Sequence, residues 1–400
     1  MKTDLLIRNA RQVVTFDQGQ FKTFENVSVA CAGSKIIHVG DEKQLGLESA
    51  TVIDASDFVV LPGLIDSHTH TIFAGSREDE FEMKLRGATY AEIAQKGGGI
   101  LNTMSATRKT SKEELLQLGK KRLVQALRFG ITTIEIKSGY GLSLADEIKI
   151  LEVIRDLREH TPMDIHATFL GAHSVPPEYK PKRDDYVKLV CDEMIPAVAE
   201  KKLAEFCDAF CEANVFTIDE TRRIFEAAEQ YGLKLKLHAD QLTHTGGAEL
   251  CAEMGAVSAD HLEHISDRGI DALKNSKTVA GLLPGCSFFL NMQYPPARKL
   301  IEAGIPVALA TDFNPGSSMT QHLQLIMSIA CTQMKMSPAE VIQGVTLNAA
   351  KSLDRTDIGN IQPGCKADLV LFSVPNYKYI PYHFGQNHVE HVIKNGRMVF

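Results

Sequence analysis

The chain has 400 residues, 44% of them hydrophobic and 23% charged, with a formal net charge of −7. That length exceeds an average domain but accommodates a barrel of about 250 residues with a satellite. An acidic balance supplies no field for nucleic acid, and no apolar run approaches the ~18–20 residues of a membrane span, so both partners are excluded.

The N-terminus, Met1-Lys2-Thr3-Asp4, lacks the apolar core of a signal peptide. Up to about residue 60 come short apolar stretches: Leu5-Leu6-Ile7, Val27-Ser28-Val29, Ile36-Ile37-His38-Val39 and Val52-Ile53. Polar or glycine-bearing breaks separate them, which predicts a small β-domain. The run Phe58-Val59-Val60-Leu61 reads as a buried strand leading into Pro62-Gly63-Leu64-Ile65-Asp66-Ser67-His68-Thr69-His70. Strand side chains alternate faces, so His68 and His70 share one side and can form half of a transition-metal site.

The middle alternates helix and strand. Ser111-Lys112-Glu113-Glu114 is a capping box, and the helix it starts ends at Gly130 before Ile131-Thr132-Thr133-Ile134-Glu135-Ile136. The same helix–glycine–strand join recurs at Gly232, Gly255 and Gly304, and Thr217-Ile218-Asp219-Glu220 is a second capping box. Strand centres at Leu64, Ile134, Ile165, Phe210, Leu235, Val257, Val279 and Val307 imply a TIM-like (β/α)8 barrel with its active residues at the C-terminal strand ends. A doubly wound open sheet is the alternative, but no glycine-rich phosphate loop supports it. In Leu233 to His238 the leucines should face the outer helices, leaving Lys234, Lys236 and His238 to the lumen, with Glu135 as a partner for the buried lysines. The C-terminal segment again reads as strands, Ala367 to Phe372 and a hairpin about Asn395-Gly396. Neither end has enough core alone. Residues 1–60 and 356–400 are therefore expected to pair into one discontinuous β-sandwich domain around a 61–355 barrel.

Three strand ends carry metal-binding side chains. His68 and His70 follow strand one, His238 ends strand five, and Asp312 ends strand eight. Three imidazole nitrogens and a carboxylate suit Zn(II) or iron, with a position left for water. Asp312 could instead cap a following helix, a reading that three histidines already placed make the weaker one. The eight cysteines are scattered without paired metal spacing and read as reduced, mostly buried thiols of a cytoplasmic protein.

Pro62 to His70, His238, Asp312 and the tail from Asn348-Ala349-Ala350 to Ala367-Asp368-Leu369-Val370-Leu371 resemble the amidohydrolase superfamily. Phe73 to Phe81, Gly87-Ala88-Thr89-Tyr90, Gly97 to Ile100, Glu135 to Gly141 and Asp312 to Ser317 are similar, more specifically, to the imidazolonepropionase family of histidine degradation. The likeness runs nearly end to end. It implies hydrolysis of 4-imidazolone-5-propanoate, a small anionic ring, to N-formimidoyl-L-glutamate by a homodimer with one Zn(2+) or Fe(2+)/Fe(3+) per subunit. Many superfamily members bridge two metals with a carboxylated lysine at the end of strand four. Asp208 to Glu212 contains no lysine, which fits a single metal.

The resemblance also implies roles. His68, His70, His238 and Asp312 would hold the metal, Asp312 would take the water's proton, and His261 would stabilise the oxyanion or relay a proton. Arg77 would grip the propanoate as a bidentate fork, helped by Tyr140 and Tyr90; otherwise it is a surface arginine paired with Glu78 or Asp79. His173 would contact the ring, and Asn314, Gly316 and Ser317 would hydrogen-bond ring and product. Gln241 stands where relatives often carry glutamate, and an amide there binds but takes no proton at neutral pH. His264 is expected to be structural. The rival readings are another ring hydrolase of the same superfamily or a guanine or cytosine deaminase, and a non-catalytic, partner-binding barrel.

Overall fold

A computed structural model describes residues 2–41, 48–87 and 98–400. At its centre is an eight-stranded sheet of Leu64–Asp66, Ile131–Lys137, Asp164–Ala172, Phe206–Cys211, Lys234–Ala239, Ser258–His261, Val279–Leu282 and Val307–Leu309. Every neighbouring pair is parallel. The first and eighth strands meet through Asp312 N to His68 O at 3.0 Å and His70 N to Phe313 O at 2.9 Å, which closes the (β/α)8 barrel.

The helices between strands form where their caps dictate. Ser111 Oγ accepts from Glu114 N at 3.2 Å while Glu114 returns to Ser111 N, and the helix Lys112–Arg128 follows. Thr217 and Glu220 make the same reciprocal pair ahead of Ile218–Gln230. Gly130 and Gly232 lie at φ of +86° and +75°, a conformation that ends the helix at little steric cost.

The chain termini build two sheets. A four-stranded one comes entirely from the N-terminal segment, Lys2–Ala10, Val27–Ala32, Lys35–Gly40 and Glu48–Asp54. A six-stranded one joins Gln12–Asp17, Gln20–Phe24 and Val59–Pro62 to Leu369–Phe372, Val389–Lys394 and Arg397–Met398. A buried cluster including Leu5, Val29, Ile36, Val60, Leu369 and Ile393 fills the space between them. Asn395 and Gly396 at φ of +51° and +74° form the expected hairpin turn.

Two details differ from the sequence reading. The apolar run through Val59 to Pro62 is a strand of the terminal sheet, antiparallel to Leu369–Phe372, and not part of the barrel. The barrel strand begins only after Gly63, where the chain changes sheets. Lys234, placed in the lumen by alternation, sits at the first residue of its strand, is exposed, and pairs with Asp354 at 2.6 Å. The strand end lets it reach water, so it needs no interior partner. Lys236 does lie inside, as expected, with its Nζ 2.7 Å from Glu135 Oε2.

Gly63 is required by contact. A Cβ there would overlap the side chain of Thr132 on the second barrel strand. Gly63→Ala should lower the unfolding free energy by about 1–3 kcal/mol in denaturant titrations, and by less in a Thr132→Ala background.

Candidate metal and substrate site

At the C-terminal mouth of the barrel, charged residues that face the lumen form a buried frame. Lys137 Nζ lies 2.8 Å from both Glu135 Oε1 and Asp208 Oδ2, and 3.8 Å from Asp260 Oδ2. Lys236 Nζ bonds Glu135 Oε2 and donates to Ser67 O at 3.1 Å, and Thr168 Oγ1 donates to Glu135. Burial alone would raise the Glu135 carboxyl, but the two ammonium groups hold it below its ordinary range. For Asp208 burial acts the same way, and His238 with Lys137 pull it well below. Burial would also lower Lys137, yet Asp208, Glu135 and Asp260 together raise it.

This frame orients the histidines. Asp260 Oδ2 lies 2.7 Å from His68 Nδ1, and Asp208 Oδ2 lies 3.0 Å from His238 Nδ1. Carboxylates at Nδ1 turn the Nε2 atoms toward a common point. His238 Nε2 and His70 Nε2 are 3.4 Å apart, and Asp312 Oδ1 is 3.6 Å from the Nε2 atoms of both His68 and His70. His68 Nε2 is buried and has no hydrogen-bond partner among the described residues. An orphaned lone pair beside two facing imidazole nitrogens and a carboxylate is the arrangement a cation satisfies. Burial, then Lys137, drive the His68 pKa well below its usual value; burial, then His173, do so for His70. Both rings are neutral donors. Among the described residues, His68, His70 and Asp312 form one group able to hold a metal, and His68, His238 and His261 form an overlapping one.

The histidines are not in the strand proper, which ends at Asp66, but in its buried extended continuation. Asp312 does not cap a helix: it takes φ +52°, and a loop separates it from the helix Leu323–Met334. His261 and Leu262 also have positive φ, +80° and +70°. Burial would lower His261, but Cys286 and Glu263 outweigh it and raise its pKa well above normal.

Of the residues expected to bind substrate, Tyr140, His173, Arg77 and the 314–317 loop surround the cluster. The His173 ring stacks on His70 with centroids 5.1 Å apart, and its Nδ1 bonds Gly139 O at 3.0 Å. Burial brings its pKa down to about 3, so Nε2 is a neutral acceptor. Tyr140 is 3% exposed with its ring 5.8 Å from His70. Its loop is fixed by the buried Glu147, which accepts from Gly139 N, Gly141 N and Leu142 N at 3.0, 2.7 and 2.8 Å. Arg77 pairs with neither Glu78 nor Asp79 but with Glu80, Nε to Oε2 at 2.8 Å. Its Nη1 lies against Gly316, where any Cβ would collide with it. Asn314 donates to Asp312 O and Ser317 Oγ and accepts from Gly316 N and Ser317 N, so its amide shapes the loop. Ser317 Oγ is 3.2 Å from Asp312 Oδ2. Gln241 Nε2 points at Cys286 Sγ, 3.3 Å away. His264 is a neighbour of Gln293, with Nδ1 3.2 Å from Nε2. Tyr90 lies outside the described residues.

Sequence reasoning missed Asp208, Asp260, Lys137, Glu80 and Cys286. The signal available for the first three was a charged residue at a lumen-facing position inside an otherwise apolar strand. Cys286 left no such mark, because it sits on a short helix after strand seven.

The amidohydrolase family model matches residues 59–399. The imidazolonepropionase of Alkaliphilus oremlandii is 49% identical over all of this chain and 98% of its own. That of Geobacillus kaustophilus is 51% identical over 99% and 97%. Atrazine chlorohydrolase from Arthrobacter aurescens complexed with zinc superposes with a TM-score of 0.76 at 19% identity, covering 99% of this chain and 95% of that one. Guanine deaminase from C. acetobutylicum with bound guanine gives 0.71 at 14%, covering 99% and 100%. The chain belongs to the amidohydrolase family, in its imidazolonepropionase branch, and is a hydrolase. No helix among the described residues is long and apolar enough to cross a membrane.

The buried frame supports a stability test. Glu135→Leu strips Lys236 of its only carboxylate partner among the described residues. Unfolding experiments should register a loss of about 3–5 kcal/mol, the cost of an uncompensated buried charge.

Proposed function

We propose that the chain hydrolyses 4-imidazolone-5-propanoate to N-formimidoyl-L-glutamate, opening the ring at a C–N bond. The observation that carries this reading is the Arg77 fork set beside the imidazole–carboxylate cluster, with its Nη1 against Gly316 and its Nε against Glu80. Two neutral azole donors and a carboxylate alone would serve many ring hydrolases. A cationic fork packed against the loop that carries Asp312 suits a ring bearing a carboxylate tail.

His68, His70, His238 and Asp312 would hold one zinc or iron ion, whose Lewis acidity makes a water deprotonable near neutral pH. Asp312 takes the water's proton at its carboxylate; burial raises its pKa, which suits a base that later returns the proton to the leaving nitrogen. His261, held protonated by Cys286 and Glu263 against the effect of burial, donates to the developing oxyanion. Arg77 and Tyr140 bind the propanoate. His173 Nε2 accepts from the ring, and Gln241 contributes a hydrogen bond and no proton transfer. In the 314–317 loop, Ser317 faces the reacting end and Asn314 keeps the loop in shape for Gly316. Tyr90 belongs to the same proposal on sequence likeness alone.

A guanine or cytosine deaminase would act on a neutral base and leave Arg77 without a purpose. A partner-binding barrel would have no reason to keep four convergent donors. The reading also carries a homodimer in the cytoplasm, which sedimentation and cell fractionation measure.

Turnover of imidazolone propanoate, followed by its ultraviolet absorbance beside guanine and cytosine controls, tests the activity. Loss of the imidazolone signal with both bases untouched is expected; turnover of a base alone would overturn the assignment. His238→Ala should lose both tightly bound metal, by elemental analysis, and turnover. Arg77→Ala should raise KM by the equivalent of about 2–3 kcal/mol with kcat little changed, because a charge-assisted contact is lost.

A further inference from the structure

We propose that Glu80 is a positioning residue for carboxylate recognition: it fixes the orientation of the Arg77 fork and ties it to the start of the helix Ile100–Lys109. The proposal rests on the reading that Arg77 receives the substrate's carboxylate. Glu80 is 6% exposed, although Glu78 and Asp79 beside it are surface residues. A carboxylate taken out of water must be compensated, and Glu80 is compensated three times. Its Oε2 accepts from Arg77 Nε at 2.8 Å and from Gly99 N at 3.0 Å, and its Oε1 accepts from Asn102 Nδ2 at 3.0 Å.

A guanidinium offers two edges for a planar anion, the side edge containing Nε and the end edge made of both Nη atoms. Glu80 occupies Nε and so takes the side edge. The end edge is left for the ligand, and Nη1 on that edge is the atom packed against Gly316. Gly316 is two residues from Asn314 and four from Asp312, so the free edge and the reacting carboxylate are set by one short loop. A fork held by Glu80 does not lose rotamer freedom again on binding, which favours tight capture. It also offers the carboxylate at one fixed reach from the cluster, so chain length is read as well as charge. Glu80 touches no reacting atom. Its influence passes through Arg77, with Gly99 and Asn102 as the fixed points behind it.

The test uses the full-length, metal-loaded enzyme. Glu80→Gln should raise KM for imidazolone propanoate about tenfold or more with kcat within about twofold, the scale of one charge-assisted hydrogen bond. Glu80→Asp should recover part of the loss. Asn102→Ala, which removes one support and leaves the charge, should raise KM by a smaller factor. The propanamide analogue, used as a competitor, should have the same inhibition constant in wild type and Glu80→Gln. In an Arg77→Ala background Glu80→Gln should add nothing. An unchanged KM, an equal weakening of the propanamide analogue, or additive effects of the two substitutions would each overturn the proposal. If the wild type fails to turn over imidazolone propanoate, the functional reading falls while the clamp is still measurable. Arg77 Nε–H exchange by nitrogen-15 NMR should be slow in the wild type and fast in Glu80→Gln, and equal exchange in the two would remove the clamp itself.

Discussion

The site depends on two lysine ammonium groups held out of water. Lys137 and Lys236 are fully buried in the barrel, an expensive state unless carboxylates meet them at close range. Glu135 meets both, Asp208 meets Lys137, and Asp260 lies just beyond. The same carboxylates face outward to the imidazoles, Asp208 to His238 and Asp260 to His68. Charge balance in the interior and the aim of the imidazole nitrogens are therefore linked through Asp208 and Asp260. At Asp208 and Asp260 a carboxylate removed from Lys137 is also removed from a histidine, whereas Glu135 serves the two lysines alone.

Backbone strain is concentrated at the same level of the barrel. Asp240, His261, Leu262 and Asp312 all have positive φ just where the strands end. Such conformations are uncommon outside glycine, least so for Asp and His, and persist where surrounding bonds enforce them. Asp240 is enforced by backbone amides of the turn into the next helix and of its first residues, its carboxylate accepting from Thr245, Gly246 and Ala248. Asp312 is enforced by the closing hydrogen bond to His68 O and by the Asn314–Ser317 turn. At Asp312 the side chain turned in this way leaves the strand's alternation and lies beside the Nε2 atoms of His68 and His70.

Much of this was legible in the sequence because it followed periodicity and punctuation. Capping boxes at Ser111 and Thr217, glycine stops at Gly130 and Gly232, and apolar strand centres gave the eight units of the barrel. His68, His70, His238 and Asp312 were visible as metal-binding types at strand ends. Lys234 was misplaced because alternation does not say where a strand meets solvent. Val59 to Leu61 reads as a buried strand leading into the histidines, but composition does not say that the chain changes sheets at Gly63. Arg77's true partner was hidden because pairing with Glu80, not with its immediate neighbours, depends on a helix start at Gly99 that no local pattern links to it. Asp208 and Asp260 were passed over because lone carboxylates in strands have no motif; only their three-dimensional proximity to Lys137 gives them meaning.

The strand Val59–Pro62 runs into the first barrel strand through a single glycine, and its partner on one side is Leu369–Phe372. On a growing polypeptide, the histidine pair is made long before Leu369–Phe372, the strand that pairs with its lead-in. The lead-in to His68 and His70 therefore lacks one of its two strand neighbours until that later segment is made. A nick near residue 370 would loosen the strand that leads into the barrel without touching a residue of the barrel itself.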